Sequence, residues 1–367
     1  MQRICGSLAA AGYQVRLVGW QRPASPPLVP QPYQQHRLGG WFQKGKLFYA
    51  EYNLRLFCYL LGQKAAAWCA ADLDTALPVW LRARLGGQPF VYDAHELFTE
   101  VPEVVARPAV QRVWRWVEGF VVPRARLAYT VGPALARVFG QRYGRPFAVV
   151  RNVSRLRPDD ARPGTLPSGG YLLYQGALNV GRGLENLLEA MPQVAGRLVI
   201  CGEGDLSAAL RERAAQLGLL ASGQVEFRGF VLPEALREVT RHAAVGIMLL
   251  ENIGLSYYYS LANKFFDYVH AGIPQVLIDF PEYRALNEQF DVAELVADTA
   301  PATLAAALNR LLPGGDAAHY QHLAENCRRA APQLSWQHEE QVLRRLWAAV
   351  VPLAPTPAAT EKLNYPQ

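Results

Sequence analysis

The chain has 367 residues and a mass of 40.7 kDa, more than one hydrophobic core usually serves, so two domains are expected. With 51% hydrophobic and 19% charged residues it buries enough apolar surface to offset its ordering entropy, which excludes a disordered scaffold. Its net charge of +6 is unevenly spread: residues 1–166 carry 22 Lys and Arg against 10 Asp and Glu, a net of +12, leaving −6 on residues 167–367. The basic half is expected to face something anionic, whether nucleic acid, an acidic lipid surface or a phosphate-bearing substrate.

No uncharged apolar run approaches the roughly 20 residues that cross a bilayer, and the first residues lack the apolar core and cleavage site of a secretory signal. A cytoplasmic location is expected. The cysteines, Cys5, Cys58, Cys69, Cys201 and Cys327, are scattered and without metal spacing, so they read as reduced and mostly buried thiols. The histidines are as dispersed, and no metal site is expected.

The chain opens on a helical segment, 3–12, followed by a strand at 15–20. Further strands are expected at 66–70, 89–92, 127–131 and 148–150, with helices at 43–62, 75–85, 108–121 and 133–143 between them. Near-continuous apolar strands alternating with helices are the pattern of a parallel sheet covered on both faces. A doubly wound unit normally begins with a strand, so the first strand looks missing, either because the start lies too late or because the sheet lacks it.

The turn-rich segment 157–170 reads as a linker between a first domain, 1–156, and a second, 171–335. After it come strands at 171–175, 197–201, 225–228, 245–250 and 275–279. Helices at 184–191, 206–217, 233–240 and 263–271 separate them, and helices alone are expected from there to about 349. A last helix, 336–350, is expected to pack back towards the first domain, and 351–367, with four prolines, to be a disordered tail. Two α/β doubly wound, Rossmann-like units place a cleft at the carboxyl ends of their strands, where chemistry is expected.

Three stretches carry that chemistry. Gly202-Glu203-Gly204-Asp205-Leu206-Ser207 links strand to helix and either offers amides to a phosphate or is a plain tight turn. The run from Gly176 to Gly183 holds three glycines and Arg182 at a helix start, where an anion would meet both the helix dipole and a guanidinium; the other reading is an arginine capping its own loop. The stretch from Glu251 to Pro274 sets a carboxylate at a strand end, then Gly254-Leu255-Ser256, then Asn263-Lys264 opening a helix with Asp267 one turn on. Asn263 reads as the N-cap, and Lys264 and Asp267 share a helix face. Tyr257, Tyr258 and Tyr259 read as core in preference to a stacking surface.

These residues, with Val199-Ile200-Cys201-Gly202-Glu203-Gly204, Val225-Glu226-Phe227-Arg228-Gly229 and Ala271-Gly272-Ile273-Pro274, make the second half similar to the nucleotide-sugar-binding domain of family-4 retaining glycosyltransferases of GT-B fold. In the first half Tyr92-Asp93-Ala94-His95-Glu96-Leu97 and Val149-Val150-Arg151-Asn152-Val153 also match, so the resemblance spans about residues 1–350. It makes the segment 3–12 the family's first helix, which follows a strand.

The resemblance implies a nucleoside diphosphate sugar as donor, a saccharide or lipid-linked acceptor, and no cofactor or metal. In the family an arginine after the domain's first strand and a lysine before a helix hold the diphosphate. Here Ala177 replaces the first, Arg182 stands for the second, and Lys264 is the candidate to restore the lost charge. Glu251 matches the acid that touches the sugar, while Tyr259 falls at the spacing of the second acid. Counting back from Gly272-Ile273-Pro274 instead places Asp267 there, as the ribose ligand. The Gly176, Gly202, Gly254, Leu255 and Ser256 backbone is expected around the donor, and His95 beside the acceptor. Lys44, Lys46, Arg55 and Val113-Trp114-Arg115-Trp116 suit docking to an anionic membrane. No basic-aromatic stacking run favours nucleic acid. A nucleotide-sugar epimerase of the same shape and a non-catalytic scaffold on an anionic surface remain the alternatives.

Overall fold

The computed structural model describes residues 1–160 and 169–353. Of the expected linker, 161–168 lie outside the described residues, as do 354–367 of the expected tail. The strands are β1 (Arg16–Trp20), β2 (Gln34–Leu38), β3 (Trp68–Ala71), β4 (Phe90–Ala94), β5 (Leu127–Thr130) and β6 (Ala148–Val149) in the first half. In the second half they are β7 (Tyr171–Gln175), β8 (Leu198–Cys201), β9 (Val225–Gly229), β10 (Ala243–Met248), β11 (Gln275–Ile278) and β12 (Ala293–Val296). Every pairing among them is parallel.

The second half is one six-stranded sheet in the order β12-β11-β10-β7-β8-β9, a doubly wound order that reverses between β7 and β10. Its central strands are buried along their whole length, which is why they read as unbroken apolar runs. The first half instead holds two sheets, β1-β2 and β3-β4-β5-β6. β1 and β3 therefore each keep one edge without a partner strand among the described residues. β2 and β12 depart from the expected elements: 293–296 falls where only helices were expected, and 34–38 went unread. Both are edge strands, and β2, Gln-Gln-His-Arg-Leu, has neither an apolar run nor a clean alternation.

The helix Pro133–Tyr143 shows how the chain marks its own elements. Proline occupies the first turn, where no amide is needed, and Gly144 ends it in the left-handed region at φ 62°. Tyr92, Val121, Phe139 and Leu73 centre the N-terminal core. The larger C-terminal core runs on through Trp336, Leu343 and Trp347 to Ile4 and Leu8, because the helix Trp336–Ala348 packs on the helix Gln2–Ala10. Trp336 Nε1 donates to Ser7 Oγ at 2.8 Å, and that hydroxyl donates to Glu340 at 2.8 Å.

A second strap joins the halves on the other side. Glu282, fully buried on the helix Pro281–Phe290, accepts the amide of Leu135 at 2.8 Å and so caps the helix Pro133–Tyr143 from the opposite domain. A Cβ at Gly132 would collide with that carboxylate, so glycine admits the close approach. No helix among the described residues is long and apolar enough to cross a membrane.

Candidate active site

The carboxyl ends of β7, β8 and β10 converge on the loop from Gly176 to Gly183. Gly202 follows β8 at φ 146°, and a Cβ there would run into the carbonyl of Gly176. Its amide donates to the carbonyl of Gly229 at 2.7 Å, Gly204 donates to Ser207 Oγ at 2.8 Å, and Asp205 to Asn179 Oδ1 at 3.2 Å. With these amides engaged, the 202–207 segment is a tight turn that shapes the loop floor. The Gly202, Gly204 and Asp205 amides are spent inside the protein, which favours the tight-turn reading of this segment.

Two cations stand out in this neighbourhood. Lys264 is buried on the helix Asn263–Ala271, with Nζ 3.6 Å from the centre of the Tyr174 ring. Burial first, and then the charge of Arg182, push its pKa well below the ordinary lysine value. The Arg182 guanidinium lies 5.1 Å over the Tyr257 ring, and its Nε is buried with no hydrogen-bond partner. Neither side chain has a carboxylate partner among the described residues, although ion pairs are common elsewhere in the molecule. Arg182 therefore does not cap its own loop. Asn263 is not the N-cap either: it is the first residue of its helix, Ala262 holds the cap position, and the Ala262 amide donates to the Tyr283 hydroxyl at 3.1 Å.

Arg182 faces His95 across the domains. Both line a cavity of about 170 Å³ with Glu96 and Leu135 on one side and Ser256, Tyr257 and Tyr259 on the other. The tyrosines expected in the core are half-buried, and two of them, Tyr257 and Tyr259, line this cavity. They do so because the residues after Gly254 wind into a short helix, Leu255–Tyr258, whose first two amides, of Leu255 and Ser256, donate to no protein group among the described residues. Glu251 is tied to the glycine loop by its amide, which donates to the Gly181 carbonyl at 3.0 Å. Burial and then Glu185 raise its pKa. It does not line the His95 cavity.

His95 ends β4 in a densely acidic setting. Its Nε2 lies 3.3 Å from Asp93 Oδ1, and its amide donates to Asp72 Oδ1 at 2.8 Å. Burial lowers the imidazole pKa, but Asp93 and then Asp72 outweigh it and the net shift is upward. Asp74 nearby is pushed up to about 6 by burial and the Asp72 charge. Asp72 was not singled out from the sequence. Its backbone, at φ 60° and ψ 177°, occupies a region that glycine normally takes, at a cost of about 1–3 kcal/mol.

Asp267, one turn along the same helix as Lys264, also meets the end of β7. Its carboxylate accepts from Ser154 Oγ at 3.0 Å and from Gln175 Nε2 at 3.1 Å, in a second cavity of about 180 Å³ with Arg237, Thr240 and His270. Burial raises its pKa against the Ser154 hydrogen bond and the charges of His270, Arg237 and Arg3. Arg182 thus shares one cavity with His95 and acts electrostatically on Lys264, while Asp267 lines a different cavity and Glu251 lines neither. Among the described residues no group of three His, Cys, Asp or Glu is placed to hold a metal ion.

The basic surface differs in part from expectation. Lys44 and Lys46 are exposed, but Arg55 is paired with Glu51 at 2.8 Å, and Trp114 turns inward against Tyr49 and Phe98. Trp41, 83% exposed, and Leu47 and Leu54 supply apolar surface there that the sequence reading missed.

Comparison with known proteins agrees with this geometry. Residues 169–313 match the family model for glycosyl transferases group 1. No curated protein sequence is matched. Sucrose-phosphate synthase from Thermosynechococcus elongatus is similar over 95% of this chain and 92% of its own, at 19% identity and a TM-score of 0.73. WaaG, a glycosyltransferase involved in lipopolysaccharide biosynthesis, is similar over 96% and 95%, at 16% identity and 0.68. Anabaena HepE, solved in complex with UDP, is similar over 87% of each chain, at 15% identity and 0.68. The fold is that of the GT-B glycosyltransferases: two Rossmann-like α/β domains facing across a cleft.

The unpaired lysine has a measurable consequence. The unfolded chain holds its proton up to the ordinary lysine range, whereas the folded chain gives it up lower. The penalty of burying the charge is therefore largest below the folded pKa and is relieved as pH rises towards 10.5. Lys264→Met is expected to be more stable than the wild type near pH 7 by on the order of 1 kcal/mol. The gap should narrow towards about pH 10, and stabilisation by a nucleoside diphosphate should disappear. A melting temperature at or below wild type near neutral pH contradicts this.

Proposed function

We propose that the protein is a family-4 glycosyltransferase that moves a sugar from a nucleoside diphosphate sugar to an acceptor hydroxyl with retention, without a metal, in the synthesis of cell-surface polysaccharide or glycolipid. The observation that carries this reading is the pair of cations without counter-charge, Lys264 and Arg182, at the strand ends facing His95. In the reaction the bond from the anomeric carbon to the diphosphate oxygen breaks, and its electrons leave with the diphosphate. The acceptor oxygen bonds the same carbon on the same face, and its proton passes to the departing phosphate. Arg182 and Lys264, with the Leu255 and Ser256 amides, stabilise the charge growing on that phosphate. Glu251 holds sugar hydroxyls, Asp267 the ribose, and His95 the acceptor side.

HepE was solved with UDP and with UDP-glucose, which makes UDP-glucose the first donor to try. Nucleotide release is expected only when an acceptor is present, and Arg182→Gln is expected to lower kcat by roughly 100-fold. Turnover of the donor without acceptor favours the epimerase, and no turnover of any donor with any acceptor favours the scaffold.

We further place the protein in the cytoplasm, peripherally on an anionic membrane that presents a lipid-linked acceptor. Support comes from the exposed Trp41, Leu47, Leu54 and Trp116 beside Lys44 and Lys46. Co-sedimentation with phosphatidylglycerol vesicles at low salt is expected, and should be lost in Trp41→Ser/Lys44→Glu. Equal partitioning with neutral vesicles contradicts it.

A further inference from the structure

We infer that Asp72 is a positioning residue for His95: it extends the β3–β4 pairing one step past the strand ends with its side chain and thereby fixes the histidine in the cleft. This rests on the transferase reading only for its catalytic consequence. The pairing of β3 with β4 runs as far as Ala71 opposite Asp93. The next residue, Asp72, donates its amide to the Asp93 carbonyl at 2.8 Å, and then the chain leaves the sheet for the helical turn Leu73–Thr75. With the backbone gone, the Asp72 carboxylate takes the place of the next ladder carbonyl and accepts the His95 amide at 2.8 Å. Asp72 therefore grips the strand end on both sides of Ala94.

The backbone conformation argues that the side chain is the reason for the residue. At φ 60° and ψ 177° glycine would fit without strain, yet only a residue with an acceptor at that reach ties down His95. The imidazole it positions lines the cavity shared with Arg182. The groups around that ring are Asp93 near the end of β4, Asp72 just past the end of β3, the neighbouring Glu96, the amino group of Met1 and Arg182 from the opposite domain. Of these, Asp93 and Asp72 favour the protonated imidazole and the Met1 amino group opposes it.

Two variants separate positioning from bulk stability. Asp72→Asn keeps an acceptor for the His95 amide and removes the charge. Asp72→Gly relaxes the backbone and removes the acceptor. In the NMR titration of the histidine ring protons, with His95 assigned from a His95→Gln sample, Asp72→Asn is expected to move the His95 midpoint down by about half a pH unit. With donor and acceptor, Asp72→Gly is expected to lose at least roughly tenfold in kcat at unchanged donor KM and melting temperature, and Asp72→Asn to recover most of that rate. An unmoved His95 midpoint in Asp72→Asn overturns the inference, as does a wild-type rate in Asp72→Gly or a loss that only tracks melting temperature and donor KM. The titration needs no substrate, so an absence of transfer by the wild type would count against the proposed function and leave the positioning of His95 to be decided by its midpoint.

Discussion

A lysine ammonium buried without a carboxylate is an arrangement that folding alone would remove. Replacing the group by an apolar side chain avoids the desolvation penalty, and pairing it with an acid would offset part of it. Lys264 has neither remedy. It rests on the Tyr174 ring, and the charge closest to it in effect is the repulsive one of Arg182. Two such groups at the carboxyl ends of parallel strands are the complement of a polyanion, and the rest of the site is arranged around that complement. The close contact of Gly202 with Gly176 sets the loop floor, the turn at Gly254 aims two free amides, and Tyr257 stacks under the guanidinium.

The two domains contribute different chemistry to the cleft. The second supplies the cations Lys264 and Arg182 even though its overall charge is negative. The first is basic overall, yet it lines its side of the cleft with acids around His95, among them Asp72, Asp74, Asp93 and Glu96. The surplus of basic residues in the first half therefore lies largely outside the cleft, where Lys44 and Lys46 stand beside exposed apolar side chains. The domains are held in register by contacts distant in sequence, Glu282 on the helix Pro133–Tyr143 and Glu339 on Arg151 at 2.8 Å. These contacts bring His95 and Arg182 to one cavity.

The alternation of apolar strands and helices was legible because central strands of a parallel sheet are buried on both faces, so β4, β7, β8, β10 and β11 announce themselves. Two edge strands did not: β2 and β12 hydrogen-bond on one side only and lack an unbroken apolar run. Lys264 and Arg182 were legible as an Asn-Lys pair opening a helix and an arginine among glycines. What sets them apart, the absence of a carboxylate partner among the described residues, belongs to tertiary structure. Asp72 could not be read at all, since its signal is a backbone angle and a hydrogen bond to a residue on the next strand. The expectation for Asn263 followed a sound rule of capping, but the helix starts one residue earlier because the Tyr283 hydroxyl receives the Ala262 amide.

The most direct test of this account is titration calorimetry of the full chain with UDP and with uridine, for the wild type and for the Arg182→Gln/Lys264→Met double variant. If the unpaired cations hold a diphosphate, wild type binds UDP far more tightly than uridine, and the double variant binds the two alike. A double variant that still prefers UDP as strongly as wild type would show that the diphosphate is held elsewhere and would contradict the account.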